Sequence, residues 1–280
     1  MSRVPEEKKA NPLISFFTKW VAEPLDNFNY GLYKVLETMG VKDALEVMVT
    51  KVFELPFFNT LFSNLYDYKV YNHEYIPKTG PALICAQHQS LLDPITMGLS
   101  VVKHTDRVPY HLAKSNLLDD PYLNMFSRVN RAIFVRRGDS DHLAIEECIK
   151  KLEQGEIVIV YPEGTVGSGN GKLLPFKRGI AIIAHRTNLP VIPAATFGID
   201  KVYGKGSKFP ASKGKIRIKY GKPIQPKRLF KRKDKKTGIP DFRSSVKMLE
   251  RAVKKLWTSL WMEDQKERKS ATSEGDEGSF

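Results

Sequence analysis

Hydrophobic positions follow two different periods along this chain. Up to residue 66 they recur at helical spacing. Leu13, Phe16, Phe17 and Trp20 follow i, i+3, i+4, i+7, and Phe28, Leu32, Val35, Leu36 and Met39 repeat the stripe after Pro24. A third stripe, Leu45, Met48, Val49, Val52 and Phe53, is interrupted at Pro56 and leads into Phe57, Phe58, Leu61, Phe62 and Leu65. From Tyr68 onward the apolar residues gather into short runs that read as buried strands: 68–71, 82–86, 110–113, 132–135, 157–161, 191–197 and 216–220. Helical patterns fill the gaps. Asp93 before Pro94 predicts an N-cap and first helical position for a helix through Val102, and Asp120 before Pro121 repeats the signal. Asp139 or Ser140 caps the next predicted helix, whose buried stripe is expected to be Leu143, Ile145, Ile149 and Leu152. Such alternation predicts an α/β fold, a mixed and mostly parallel sheet flanked by helices and preceded by an N-terminal amphipathic helical segment.

After Pro226 the pattern changes again. Residues 227–236 hold seven lysines or arginines against Asp234, and a helical stripe of Phe242, Val246, Leu249, Val253, Leu256 and Leu260 follows. The expected organisation is therefore 1–66 amphipathic helices, 67–226 the α/β domain, 227–262 a basic run with a C-terminal amphipathic helix, and 263–280 a charged, aperiodic, disordered tail. Aromatic-rich amphipathic helices either pack on the domain behind them or lie flat in a lipid headgroup layer, with Trp20, Phe57, Phe58 and Phe62 below the headgroups.

Charge sharpens that choice. A net charge of +14 calls for a polyanionic partner, either nucleic acid or an anionic membrane surface. No run reaches the eighteen or so apolar residues of a spanning helix, and the uncharged stretch 10–18 is too short for a signal segment. Attachment is therefore expected to be peripheral, on the cytoplasmic face of a membrane. Cys85 and Cys148, without a CxxC pair or a Cys/His set, exclude a disulfide framework and a structural metal site, as in a reducing compartment.

Four clusters fall at or just beyond the carboxyl ends of predicted strands, where open α/β sheets bind ligands. They are Gln87 to Asp93, Ile133 to Gly138 with Arg136 and Arg137, Tyr161 to Ser168 around Glu163-Gly164-Thr165 with a glycine-rich continuation to Lys177 and Gly179, and Leu189-Pro190-Val191-Ile192-Pro193. A histidine five residues before an aspartate is weak evidence by itself, and His142 with Glu147 has the same spacing on an ordinary helix. His88 differs by its position in the turn between a buried strand and a helix. There Asp93 can hold one ring nitrogen and leave the other to accept a proton, as a general base requires. Val166 breaks both a GxSxG elbow at Ser168 and a P-loop ending at Lys172, and the glycines at 167, 169 and 171 do not form GxGxxG.

Together the four clusters resemble the glycerolipid acyltransferase family, in particular its 1-acylglycerol-3-phosphate (lysophosphatidate) acyltransferases, over about residues 70–222. His88 and Asp93 match the family's catalytic NHxxxxD pattern, with Gln87 in place of asparagine. The resemblance implies substrate contacts from Arg136, Arg137, Glu163, Gly164, Thr165, Lys177 and Gly179. It also implies no cofactor or metal, an acyl-CoA or acyl carrier protein donor, and a lysophospholipid acceptor at an anionic membrane. Val166 stands where the family's phosphate-holding arginine is usual, which leaves glycerol-3-phosphate and other lysophospholipids open as acceptors; Arg136, Lys172, Lys177 and Arg178 are the cations placed to replace it. A nucleic-acid-binding protein or a silent membrane scaffold of the same fold are the readings outside this class. No nucleic-acid partner is expected.

Overall fold

The computed structural model describes residues 51, 55–114, 131–135, 141–207, 211–233 and 237–276. Each apolar run predicted from the sequence is a strand: β1 (Tyr66–Tyr71), β2 (Ala82–Ala86), β3 (Tyr110–Lys114), β4 (Ala132–Val135), β5 (Ile157–Val160), β6 (Val191–Phe197) and β7 (Gly214–Tyr220). They form one sheet in the order β1-β7-β6-β2-β5-β3-β4. Pairing is parallel throughout except between β6 and β7, so the sheet is mixed and mostly parallel.

The helices are α1 (Leu55–Leu65), α2 (Asp93–Thr105), α3 (Asp141–Glu153), α4 (Gly179–Thr187), the short α5 (Ile199–Val202) and α6 (Pro226–Leu229), and α7 (Phe242–Asp276). Because β2 and β5 are apolar at every position, both faces of the sheet are covered there. Leu83, Cys85, Val158 and Val160 meet Cys148 and Ile149 of α3, Ile180 and Ile183 of α4, and Leu249 and Val253 of α7. Ile84, Ile157 and Ile159 meet Met97 and Val101 of α2 on the other face. Each such side chain taken fully out of water contributes about 1.5–3 kcal/mol, which makes the central strands a firm platform. The chain leaves β2 through α2 on one face and β5 through α4 on the other, so a crevice opens at their carboxyl ends.

Three expectations change. Leu143 is 57% exposed, and the inward face of α3 is Ala144, Cys148, Ile149 and Leu152; stepping by four from Ala144 keeps one face, whereas Leu143 sits about 100° round the helix. Phe62 is not a lipid-facing residue. It is 3% exposed, packs beside Tyr66 at 5.4 Å between ring centres, and shares a core cluster with Ile95, Val202 and Ile216. The last helix runs on through the predicted tail to Asp276. Its polar extension is tied to the sheet, because Asp264 and Glu267 accept hydrogen bonds from Lys215, and Glu263 accepts one from the Tyr71 hydroxyl at 2.7 Å. The helical stripes of residues 1–50, the Asp120-Pro121 signal and the Asp139 and Ser140 caps lie outside the described residues.

Candidate active site

His88 lies two residues beyond β2, in a turn whose shape is set by Asp93. The sequence suggests Asp93 as the cap of α2, yet its carboxylate makes no capping bond to that helix and reaches backwards instead. Oδ2 accepts from the backbone N–H of Gln89 (2.6 Å) and of Ser90 (2.7 Å), and faces His88 Nδ1 at 3.1 Å. Oδ1 accepts from the Thr196 hydroxyl at 2.9 Å. A carboxylate with no exposure at all is tolerated because every donor around it points inward. With Nδ1 turned to a carboxylate, the Nδ1–H tautomer is fixed and Nε2 keeps its lone pair for a substrate proton. The imidazole retains 17% exposure, so the site opens to solvent on this side.

Glu163 holds the turn from the other side. Its Oε1 accepts the His88 backbone N–H at 2.8 Å and its Oε2 accepts the Leu174 N–H at 2.8 Å. With both oxygens occupied and only 5% exposure, Glu163 braces the turn that carries His88. Burial raises its carboxyl pKa, partly offset by those two N–H donors. The Gly167 N–H closes the arrangement on the His88 carbonyl at 2.7 Å.

Behind the imidazole lies a polar stack with no counterpart in the sequence reading. The Tyr161 ring stacks on His88 with centres 4.7 Å apart, and its hydroxyl pairs with Nδ1 of the buried His111 on β3 at 3.3 Å. Burial pushes the Tyr161 phenol far up, so it stays protonated, while burial, helped by the nearby His88, holds His111 down to about 3, so it stays neutral.

The glycine-rich loop supplies the rim. Gly164 takes φ +69°, a conformation glycine favours, and Lys177 crosses it so closely that a Cβ would stand 2.9 Å from the lysine Cε, which lays the side chain of the exposed Lys177 over Gly164. Thr165 is exposed, Gly179 opens α4, and the Gly164 N–H is already spent on the Tyr161 carbonyl, which removes it as an oxyanion donor. Gln87, in the asparagine position of the motif, is buried and donates to the Thr196 carbonyl at 2.6 Å. Arg136 and Arg137 follow the end of β4 and lie outside the described residues. Among the described residues no group of three or more His, Cys, Asp or Glu side chains is arranged to hold a metal ion.

The loop is pinned at Gly171, whose φ is +65° and whose Cβ would fall 2.0 Å from the Trp257 indole of α7. Gly171→Ala is expected to lower the unfolding free energy by more than about 1 kcal/mol, since the left-handed backbone alone costs that much for alanine and the indole must also move. A melting temperature equal to the parent's contradicts this pin.

Thr196 and His111 escape the sequence reading because their partners Asp93 and Tyr161 lie 103 and 50 residues away, and Tyr161 opens the third cluster without a role that local spacing assigns.

A buried carboxylate facing Nδ1 of a partly exposed histidine, at the carboxyl ends of parallel strands, is the arrangement a general base requires. The comparisons agree. The Acyltransferase family profile matches residues 67–196. The 1-acyl-sn-glycerol-3-phosphate acyltransferase of Bacillus subtilis (strain 168) is 31% identical over 156 residues, 56% of this chain and 73% of that protein. Its counterpart from Helicobacter pylori is 32% identical over 127 residues, 45% of this chain and 52% of that protein. The crystal structure of the 1-acyl-sn-glycerophosphate acyltransferase PlsC from Thermotoga maritima superposes with a TM-score of 0.56 at 25% identity, covering 84% of this chain and 98% of that one. The chain therefore belongs to the acyltransferase family of 1-acylglycerol-3-phosphate acyltransferase-like enzymes, and it matches between about half and three quarters of the length of these two relatives.

Proposed function

We propose that this protein transfers a fatty acyl group from an acyl thioester, acyl-CoA or acyl carrier protein, to a hydroxyl of a lysophosphatidate-type glycerophospholipid. The observation that carries the reading is the His88–Asp93 pair at 3.1 Å, with no hydrogen-bond partner on Nε2 among the described residues. His88 takes the hydroxyl proton as the oxygen attacks the thioester carbonyl carbon. The tetrahedral adduct collapses by breaking its C–S bond, and the imidazolium returns the proton to the departing thiolate, so no cofactor is consumed. Asp93 stabilises the imidazolium between these steps, and Lys177 places a cation where an acceptor phosphate approaches.

A second acceptor class is favoured by Val166, which offers no charge where the family's arginine is usual. Consistent with a wider range, the lyso-ornithine lipid O-acyltransferase of Brucella abortus is 29% identical over 132 residues, 46% of each chain. Purified protein with radiolabelled acyl-CoA or acyl carrier protein, offered lysophosphatidate, glycerol-3-phosphate and other lysophospholipids, tests the reading. Product with lysophosphatidate supports it, and no product with any acceptor rejects it.

Peripheral attachment to an anionic membrane belongs to the same proposal. No described helix is long and apolar enough to cross a membrane, and Lys227, Arg228, Lys231, Arg232 and Lys233 are all exposed. Each cation near an anionic surface adds about 1 kcal/mol. Sedimentation is expected to show tighter binding to anionic than to zwitterionic vesicles, the difference fading in high salt. Deleting residues 1–66 is expected to remove the salt-resistant fraction, although Phe62 and Tyr66 of that segment belong to the core, so a deletion of residues 1–50 is the cleaner variant. Equal binding to both vesicle types rejects the anionic surface as a partner.

A further inference from the structure

A groove of about 760 Å³ runs between the glycine-rich loop and the middle of α7, outside the site already described. Leu173 and Met262 give it an apolar lining, and Lys172, Arg251, Lys254 and Lys255 set four cations around it against one carboxylate, Glu250. Lys254 is committed, donating to the Gly171 carbonyl at 2.7 Å. Lys172, Arg251 and Lys255 are exposed and have no carboxylate partner among the described residues. Unpaired cations over an apolar floor suit a ligand that carries phosphates beside a less polar group.

The groove is coupled to the base through very few bonds. Its wall residue Leu173 precedes Leu174, whose N–H lies on Glu163 Oε2, and Glu163 Oε1 holds the His88 N–H. The far end of α7 is fixed to the same edge of the sheet by Asp264 and Glu267 on Lys215. A ligand seated here therefore lies on the catalytic edge, with a flexible arm needed to reach His88.

We infer that this groove docks the phosphorylated nucleotide end of a coenzyme A thioester, the adenosine 3′,5′-bisphosphate group, while the pantetheine arm carries the acyl group to His88. This rests on the acyltransferase reading above and selects one of its two donors. Its volume lies in the range of small-molecule sites, about 300–1,000 Å³. A carrier protein docks through a broader face, of about 800 Å² per partner.

Adenosine 3′,5′-bisphosphate, titrated calorimetrically into the full-length protein in neutral detergent micelles, is expected to bind and to inhibit competitively against acyl-CoA. The Arg251→Glu/Lys255→Glu variant is expected to lose that binding and to raise the KM for acyl-CoA by about tenfold or more, because two charge-assisted phosphate contacts become repulsive. The loss is confined to donors that carry the nucleotide, so the acyl-N-acetylcysteamine thioester, which lacks it, reports the parent's rate. Lys247→Glu, a single charge reversal elsewhere on α7, serves as the control for general electrostatics. An unchanged KM for acyl-CoA overturns the assignment, as does an equal loss with the N-acetylcysteamine thioester, or a loss seen only with acyl carrier protein. If the parent transfers no acyl group from any thioester, the function reading fails. The bisphosphate titration still decides the groove, since binding in the parent that the double variant loses supports it and no binding rejects it.

Discussion

His88→Ala is expected to lower acyl transfer by at least about two orders of magnitude, within the 10²–10⁴ range that a positioned general base contributes. Folding is expected to suffer little, because the imidazole is partly exposed and the two bonds that fix the turn, to Glu163 and from Gly167, use the backbone of residue 88. Asp93→Asn divides the effect differently. Three donors converge on Asp93 Oδ2 and one on Oδ1, so an amide must turn an NH₂ toward a donor on one side. Its loss of activity is expected to be smaller than that of His88→Ala, since it removes the orienter and keeps the base, but its melting temperature is expected to fall further. His142 is exposed and pairs with Glu146 at 3.3 Å, so His142→Ala is the near-neutral control. Rates per folded molecule settle the matter, and a fully active His88→Ala protein ends the general-base reading.

The sequence reached the site further than it reached the site's supports. Runs such as Ile157–Val160 announce buried strands because both faces of a parallel sheet are covered, and the turn after such a strand is where chemistry sits; His88 and Asp93 were legible for that reason. Glu163 is legible as a member of the third strand-end cluster, and its use as a brace is not, because its partners His88 and Leu174 meet it only once the loop folds back over the strand ends. The same holds for Asp93, whose position before Pro94 signals a cap although its carboxylate serves the preceding turn. Periodicity misplaced Leu143 by one residue on a helix where small Ala144 and Cys148, not the larger leucine, form the packed face. Composition ended the C-terminal helix too early, since its polar extension is held by ion pairs to Lys215 that no local pattern encodes.

Acidification below pH 6.5 is expected to destabilise the parent protein more steeply than a His111→Gln variant. His111 is 3% exposed behind Tyr161, and burial, with the neighbouring His88 adding to it, depresses its pKa from the ordinary 6.5 to about 3. The folded chain therefore keeps this ring neutral while the unfolded chain takes up a proton. Its contribution is present above pH 6.5 and is lost as pH falls toward about 3, by at most about 1.4 kcal/mol per pH unit. Glu163 acts with the opposite sign. Burial raises its folded pKa, so it favours the fold at low pH and loses that contribution as pH rises through the raised value. Comparing parent and variant at each pH cancels the Glu163 contribution and isolates the histidine. Glutamine keeps a group that can meet the Tyr161 hydroxyl, so the stack on His88 is preserved and the comparison reads protonation rather than lost packing. Urea midpoints between pH 7 and pH 4 are expected to converge or cross as the parent declines faster. Parallel curves place the acid sensitivity elsewhere and make the neutral His111 a packing residue only.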